Sequence, residues 1–412
     1  MNTKLTNRPI AADEICEPIV FGQPQILDDE IDEVVACLRS GWIGTGPRVA
    51  RFERDFAAFK GVDQAAAVGS CSAALHLSIR AVGIEPDDEV ITSALTFCST
   101  VNSIIHSGGR PVLADIDPLT MNLDPRDVEA RITSRTRALV PVHFAGRPCD
   151  MDALIVIARR HGLRVVEDCA HAIEATYHGK ASGTIGHFGC FSFYVTKNMT
   201  TGEGGMVIAR DSQDLDKIKI LALHGLSKDA WSRFQDTGYS HYYAVDVGFK
   251  YNMMDLQAAL GIHQLRRLEE NWQRRSVIWS RYQEALRDLP VKLPTDPEPG
   301  TRHACHLFTL LIDKARAGIT RDEFLEGMSQ LGIGVGVHYP SIAEHPVYRE
   351  SFGWKPEAWP VAWSIGGQTV SLPLSPKLTD DDVERVIGAV HKTLRTSVRS
   401  SGFSNTPKSV LD

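Results

Sequence analysis

The sequence predicts an α/β protein, with a large, mostly parallel sheet covered by helices on both faces and a smaller C-terminal α+β domain. Three observations carry this prediction. Short apolar runs alternate with helix-period segments from about residue 64 to Asp168, the pattern of a parallel sheet with crossover helices. Two closely spaced strand-like runs, GCFSFYV and GGMVIAR, follow with a glycine-rich turn between them. From about residue 255 the character changes to a long periodic helical stretch that leads into a second, shorter set of elements.

The elements follow in order. ILDDEIDEVVACLRSGW reads as an amphipathic helix with Ile31, Val34, Val35 and Leu38 on one face. The turn IGTGP leads to a second helix beginning near Val49. AAAV before Gly69 is a short strand, and SAALHLSIRAVG is a helix ended by Gly83. EVITSA is a strand, FCSTVNSIIHSG a helix and RPVLADI a strand, with a helix near 125–132 after it. RALVPVHF is a strand, MDALIVIARRHG a helix and LRVVED the next strand. MDLQAALGIHQLRRLEENWQRRSVIWSRYQEAL reads as one long connecting helix. The strand HLFTLLI and the helices EFLEGMSQLG and DDDVERVIGAVHKTL build the smaller domain. This division gives a mobile segment over 1–18, a large domain over 19–254, a connector and small domain over 255–395, and a disordered polar tail over 396–412.

Composition narrows the function. The chain has 412 residues, a hydrophobic content of 43% and a charged content of 23%, ordinary for a soluble globular protein. A net charge of -7 with no basic run argues against nucleic acid as partner. No stretch approaches the roughly 20 apolar residues of a membrane helix, and the polar start MNTKLTNRPIAADE lacks the apolar core of a signal peptide. The eight cysteines contain no CxxC pair, so they read as reduced thiols of a cytoplasmic protein, with neither a disulfide framework nor a metal site expected.

In open α/β sheets ligands collect at the carboxyl ends of strands, and Gly69, Ala94, His143 and Asp168 all fall there. Lys197 sits in CFSFYVTKNMTTGEGGMV, just past an apolar strand and ahead of a glycine-rich turn. That lysine is placed to condense with an aldehyde, and Asp168 at the end of LRVVED is placed to keep a pyridine nitrogen protonated. These are the two protein groups that pyridoxal phosphate (PLP) chemistry needs most. GSCSAAL, entering a helix, offers the amides and hydroxyls of Ser70, Cys71 and Ser72 to a phosphate at a helix N-terminus. Ser192 offers a second hydroxyl, Phe97 a ring that could stack on the pyridine, and His171 a contact to the cofactor. Neither TGEGG nor GSCSAAL matches the GxxxxGK[ST] pattern of nucleoside triphosphate loops.

GSCSAALHL, SALTFCST, VEDCAHAI, FSFYVTKNMTTGEGGMV and GFKYNMMDLQAALG, taken in order, resemble the DegT/StrS family of sugar-nucleotide aminotransferases, which are fold-type I PLP enzymes. The resemblance runs from about Phe21 to about residue 390 and includes SGWIGTGPRVARFE, VHYP and LPLSPKLT. It implies Lys197 as the Schiff-base lysine, Asp168 as the pyridinium contact and Phe97 as the stacking ring. Ser72 and Ser192 match phosphate-binding positions with backbone help from Cys71, and His171 matches a position beside the cofactor. Asn252 matches an asparagine that completes the phosphate site of the neighbouring subunit, which implies a homodimer with shared active sites. Trp42 to Pro47, which includes Thr45, together with His338 and Tyr339, resembles segments lining the sugar site. Where many members read SGT, this chain has Ser70-Cys71-Ser72. Relatives that dehydrate sugars carry histidine at the lysine position, and Lys197 argues against that branch.

The resemblance implies transfer of an amino group from L-glutamate to a keto group of a nucleotide-linked sugar, with ping-pong kinetics. GFKYN and HGLSKDAW lean towards a UDP-4-keto sugar. A 3-keto sugar nucleotide or a keto-inositol would use the same machinery, and a PLP-binding regulator is the reading from a different class.

Overall fold

A computed structural model describes residues 17–227 and 243–400. The first half builds α1 (Asp28–Ser40), α2 (Pro47–Lys60), β1 (Ala66–Val68), α3 (Cys71–Val82), β2 (Glu89–Ser93), α4 (Cys98–His106) and β3 (Arg110–Ala114). There follow α5 (Pro125–Ala130), β4 (Thr136–Val140), α6 (Met151–His161) and β5 (Arg164–Asp168). A two-strand hairpin, β6 (Thr176–Tyr177) and β7 (Lys180–Ala181), precedes β8 (Phe188–Ser192), β9 (Gly205–Ala209) and α7 (Ser212–Ala222). The rest is α8 (Asp255–Arg266), α9 (Leu268–Leu286), β10 (Phe308–Leu311), α10 (Lys314–Ala317), α11 (Arg321–Gln330), α12 (Pro346–Phe352), α13 (Pro360–Gly366), β11 (Thr369–Leu372) and α14 (Asp380–Ser400).

The seven-stranded sheet has the order β1-β9-β8-β5-β4-β2-β3. Only β9 runs against its neighbours, pairing antiparallel with both β1 and β8. The mostly parallel sheet that the alternating runs predict is therefore present. Its strands are buried nearly throughout, so they read as continuous apolar runs and not as alternating ones. Helix boundaries follow local chemistry. Ser70 caps α3 by accepting from the Ala73 amide, Pro125 opens α5, and glycines in the left-handed region close α1, α2, α3 and α6.

A separate core forms where α9, α11 and α14 pack on the antiparallel pair β10 and β11, around Tyr282, Phe308, Phe324 and Val386. This is the smaller α+β unit.

The structure departs from the sequence reading in three places. The stretch expected as one connecting helix is two, because Arg267 leaves helical geometry with φ -96 and ψ 3. Its guanidinium reaches back to Glu30 of α1, a buried carboxylate that fixes the break. α14 runs to Ser400, beyond the expected start of the tail. Residues 17 and 18 belong to an ordered strap: Arg385 donates to the Glu17 carbonyl, and Ile19 pairs with Ile333. The remaining expectations about the two ends, and the part of HGLSKDAW beyond Ser227, lie outside the described residues.

Candidate active site

The site lies at the carboxyl edge of the sheet, where β5, β8 and the N-termini of α3 and α4 converge. Asp168 ends β5 and is only 4% exposed. Its Oδ2 accepts from the Thr100 hydroxyl at 2.9 Å, and its Oδ1 from the Ala170 amide at 3.1 Å. Thr100 is in turn bonded to Thr96 at 2.9 Å, so α4 aims the carboxylate. Burial raises the Asp168 pKa, and the two hydrogen bonds and the nearby Lys197 oppose the shift only in part. A buried carboxylate in that condition calls for a cationic partner.

Lys197 is half-buried in the loop between β8 and β9, and its amide donates to the Tyr194 carbonyl at 2.9 Å. Burial lowers its amine to about 8, against the opposing pull of Cys71 and Asp168. An amine so tuned holds a substantial neutral, nucleophilic fraction near neutral pH.

The phosphate end is built from backbone. α3 begins at Cys71, and Ser70 uses its hydroxyl on the Ala73 amide, which leaves the first amides of the helix without an intrahelical partner. Ser72 is exposed, and its hydroxyl is bonded to that of Ser99 at the start of α4, 2.6 Å away. Ser192, the last residue of β8, pairs in register with Gly205. A Cβ at Gly205 would lie 2.5 Å from the Ser70 carbonyl carbon and 2.7 Å from the Cys71 nitrogen. Glycine is required there because β9 lies directly against the phosphate-type turn. The Cys71 thiol is buried and its pKa is raised well above the ordinary value, so it packs as a small apolar group and is not a nucleophile.

Phe97 stands at the N-cap of α4, 56% exposed, with its ring 5.8 Å from the Tyr339 ring. His171 is buried with both nitrogens engaged: Nδ1 accepts from the Ala145 amide at 3.3 Å, and Nε2 meets the Tyr339 hydroxyl at 3.0 Å. Burial, then the positive field of Lys197, holds this imidazole neutral. His338 is bonded to Ser371 at 2.9 Å and lines a cavity beside Lys197 together with Phe21, Thr196, His306 and Leu374. The residues singled out in the sequence around Asp168 and Lys197 thus come together from widely separated segments.

Asn252, Thr45 and Trp42 are held by another set of contacts, although the Asn252 backbone bridges Val68 just ahead of the α3 turn. Asn252 donates to Thr45 at 2.6 Å and to none of Ser70, Ser72 or Ser192 of its own chain, and its Oδ1 is buried without a partner. Thr45 donates on to the Met253 carbonyl at 2.5 Å, so the loop carrying Trp42 is stitched to the start of α8. Asp255 completes the stitch by accepting from the amides of Gly46, Arg48 and Val49. Trp42 itself is 41% exposed.

Sequence reasoning missed Thr100, Ser99, Gly205 and His306. Each acts through a partner far away along the chain, and no local pattern marks such a pairing. Among the described residues, His143, Glu167 and Cys169 form a buried group of metal-ligand types. Glu167 is already saturated by His143 at 3.0 Å and by the amides of Gly183, Ile185 and Gly186. Burial alone would raise its pKa, but these donors outweigh burial and lower it. The group is a structural knot under β5.

The donor set fits PLP: a tuned amine, a buried carboxylate aimed by Thr100, and a helix N-terminus tightened by a glycine. Comparison with known proteins points the same way. The profile of the DegT/DnrJ/EryC1/StrS aminotransferase family matches residues 24–391. The spore coat polysaccharide biosynthesis protein SpsC of Bacillus subtilis is 48% identical over 376 residues, covering 91% of this chain and 97% of that protein. Spr1654 of Streptococcus pneumoniae, assigned as a sugar aminotransferase and solved in its PLP form, superposes with a TM-score of 0.86 at 30% identity, covering 92% of this chain and 99% of that one. Helicobacter pylori PseC, an aminotransferase involved in pseudoaminic acid biosynthesis, gives a TM-score of 0.85 at 26% identity, covering 92% of this chain and 100% of that one. The chain belongs to the DegT/DnrJ/EryC1/StrS aminotransferase family and is a PLP-dependent aminotransferase.

Proposed function

We propose that the protein moves an amino group from L-glutamate to the keto group of a nucleotide-linked sugar, a UDP-4-keto sugar, and works in the cytoplasm as a homodimer with shared active sites. The observation that carries the reading is Lys197 within reach of the Asp168 charge, the amine lowered to about 8 and the carboxylate buried. PLP, when bound, supplies an aldehyde that accepts and returns amino groups and a ring that takes up electron density.

The chain's own residues do the rest. Lys197 moves the proton at its Nζ, where the lowered pKa suits both giving and taking. Asp168 keeps its charge against a protonated ring nitrogen, held in line by Thr100. The α3 amides, Ser72 and Ser192 would hold the phosphate, and Phe97 would lie beside the ring. Trp42, Thr45, His338 and Tyr339 contact the sugar. The sugar assignment draws on SpsC, a polysaccharide biosynthesis protein, and on Spr1654 and PseC. The dimer draws on the unpartnered Asn252 Oδ1 and on the exposed rings of Phe97, Trp42 and Tyr194.

The test is a half-reaction panel. With PLP and glutamate, the wild type should release 2-oxoglutarate and shift its visible absorbance, and Lys197→Ala should do neither. The amino-loaded enzyme is then offered a UDP-4-keto sugar, a 3-keto sugar nucleotide and a keto-inositol. Turnover in Lys197→Ala would end the mechanism, and preference for either of the last two would replace the substrate. Mixing Asn252→Ala with Lys197→Ala subunits should restore part of the activity; no recovery would mean that each subunit works alone.

A further inference from the structure

Behind Lys197 runs a buried relay that fixes the polarity of one ring. Arg275 of α9 and Glu174 form an ion pair with side chains 2% and 1% exposed. Glu174 accepts from Asn198 Nδ2 at 2.7 Å, and the same nitrogen donates to the Ala304 carbonyl at 2.9 Å. Both partners of Nδ2 are acceptors, so the Asn198 amide has one orientation and its Oδ1 must accept. That oxygen faces His306 Nδ1 at 2.8 Å, which places the imidazole proton on Nδ1. Burial, then the positive field of Lys197, pushes the His306 pKa well below its ordinary value, so the ring is neutral. Its other nitrogen, Nε2, therefore carries a lone pair and no proton.

His306 is 6% exposed, holds its ring 4.4 Å from that of His171 at a tilt of 33°, and lines the cavity that also holds Lys197, Phe21 and His338. Lys197 is the only ion-forming cation or anion among the residues lining that cavity, apart from these neutral imidazoles. Such a wall suits a hydroxyl donor and repels no charge of its own.

We propose that His306 is a specificity residue whose Nε2 accepts a hydrogen bond from a hydroxyl of the sugar beside the reacting carbon, its acceptor character set by the Arg275–Glu174–Asn198 relay. This rests on the keto-sugar reading above. His306→Asn keeps a donor towards Asn198 and deletes the acceptor; His306→Gln puts a carbonyl oxygen near the Nε2 position.

The experiment uses the PLP-loaded enzyme and the product amino sugar linked to UDP, compared with its analogue deoxygenated next to the amino carbon. Half-saturation is read from the visible absorbance shift, and KM and kcat for both half-reactions are measured beside it. Wild type should bind the hydroxylated sugar about tenfold better than the deoxy one, the usual worth of one hydrogen bond. His306→Asn should lose that preference, and His306→Gln should regain part of it. Full discrimination in His306→Asn, with wild type active on the sugar, would overturn the role of His306 alone. A wild type inert to every sugar would overturn the keto-sugar reading and this proposal with it. If His306→Asn does not fold, unchanged discrimination in His306→Leu, which has no acceptor, and in Asn198→Ala would overturn the proposal just as well.

Discussion

Lys197 and Asp168 are tuned by the same cause, burial, in opposite senses. The lysine prefers to lose its proton, and the aspartate to keep one. Below about pH 8 the amine is protonated and has no lone pair, so capture of PLP by the cofactor-free protein should quicken up to about pH 8 and then level. A stopped-flow absorbance series across pH 6–11, roughly spanning both values, checks this; a rise continuing to the range of an ordinary lysine would contradict it. For Asp168 the folded-state pKa lies above the unfolded one. Its stabilising contribution is present below the ordinary carboxylate range and is lost as pH rises through the folded value, so at neutral pH the charge is a cost. Asp168→Asn should therefore raise the melting temperature of the cofactor-free protein by about 1–2 °C. The same change should lower kcat on the order of 100-fold or more by removing the charge that keeps the ring nitrogen protonated. Calorimetry and steady-state assays check the two halves separately. These two residues were legible from the sequence because each ends or follows an unmistakable apolar strand. Thr100, which aims Asp168, was not: the pair is closed only when α4 folds against β5.

At the scale of elements, β9 is the strand most constrained by the site. Gly205→Ala would drive a methyl group against the Ser70–Cys71 backbone, and neither main chain can yield without moving the phosphate turn. A loss in kcat/KM on the order of 100-fold is expected, with weaker PLP retention on dialysis. The Arg275–Glu174 pair joins α9 to the loop after β5. Arg275→Met would strand a buried carboxylate and should cost about 3–5 kcal/mol. The double change with Glu174→Gln should recover part of that, as thermal or urea unfolding would show. Most strands and helices were legible because apolar period and capping residues agree. The break at Arg267 was not, since the apolar period continues across it and the cause is a carboxylate on α1. β11 was also missed: Thr369–Leu372 is fully buried, yet half of it is polar.

For the whole molecule, α9 belongs to the core of the smaller unit through Ile278, Tyr282 and Leu286, while its Arg275 serves the loop that carries Lys197. The strap from Ile19 to Gln25 crosses the same boundary: Ile19 pairs beside Gly332 and Gly334, Gly22 presses on Thr196, and the Gln25 carbonyl accepts from Gln264 of α8. The two cores should consequently unfold in a single transition, which scanning calorimetry would register as one peak; two resolved peaks would show that these ties are weak. The reversal of β9 has one last consequence. Its loop leaves from Ser192 and returns to Gly205, which face each other across one rung. Lengthening or shortening that loop would therefore retune how far the lysine reaches while leaving the anion cradle untouched, so catalytic reach and cofactor grip can be altered independently by anyone redesigning this fold.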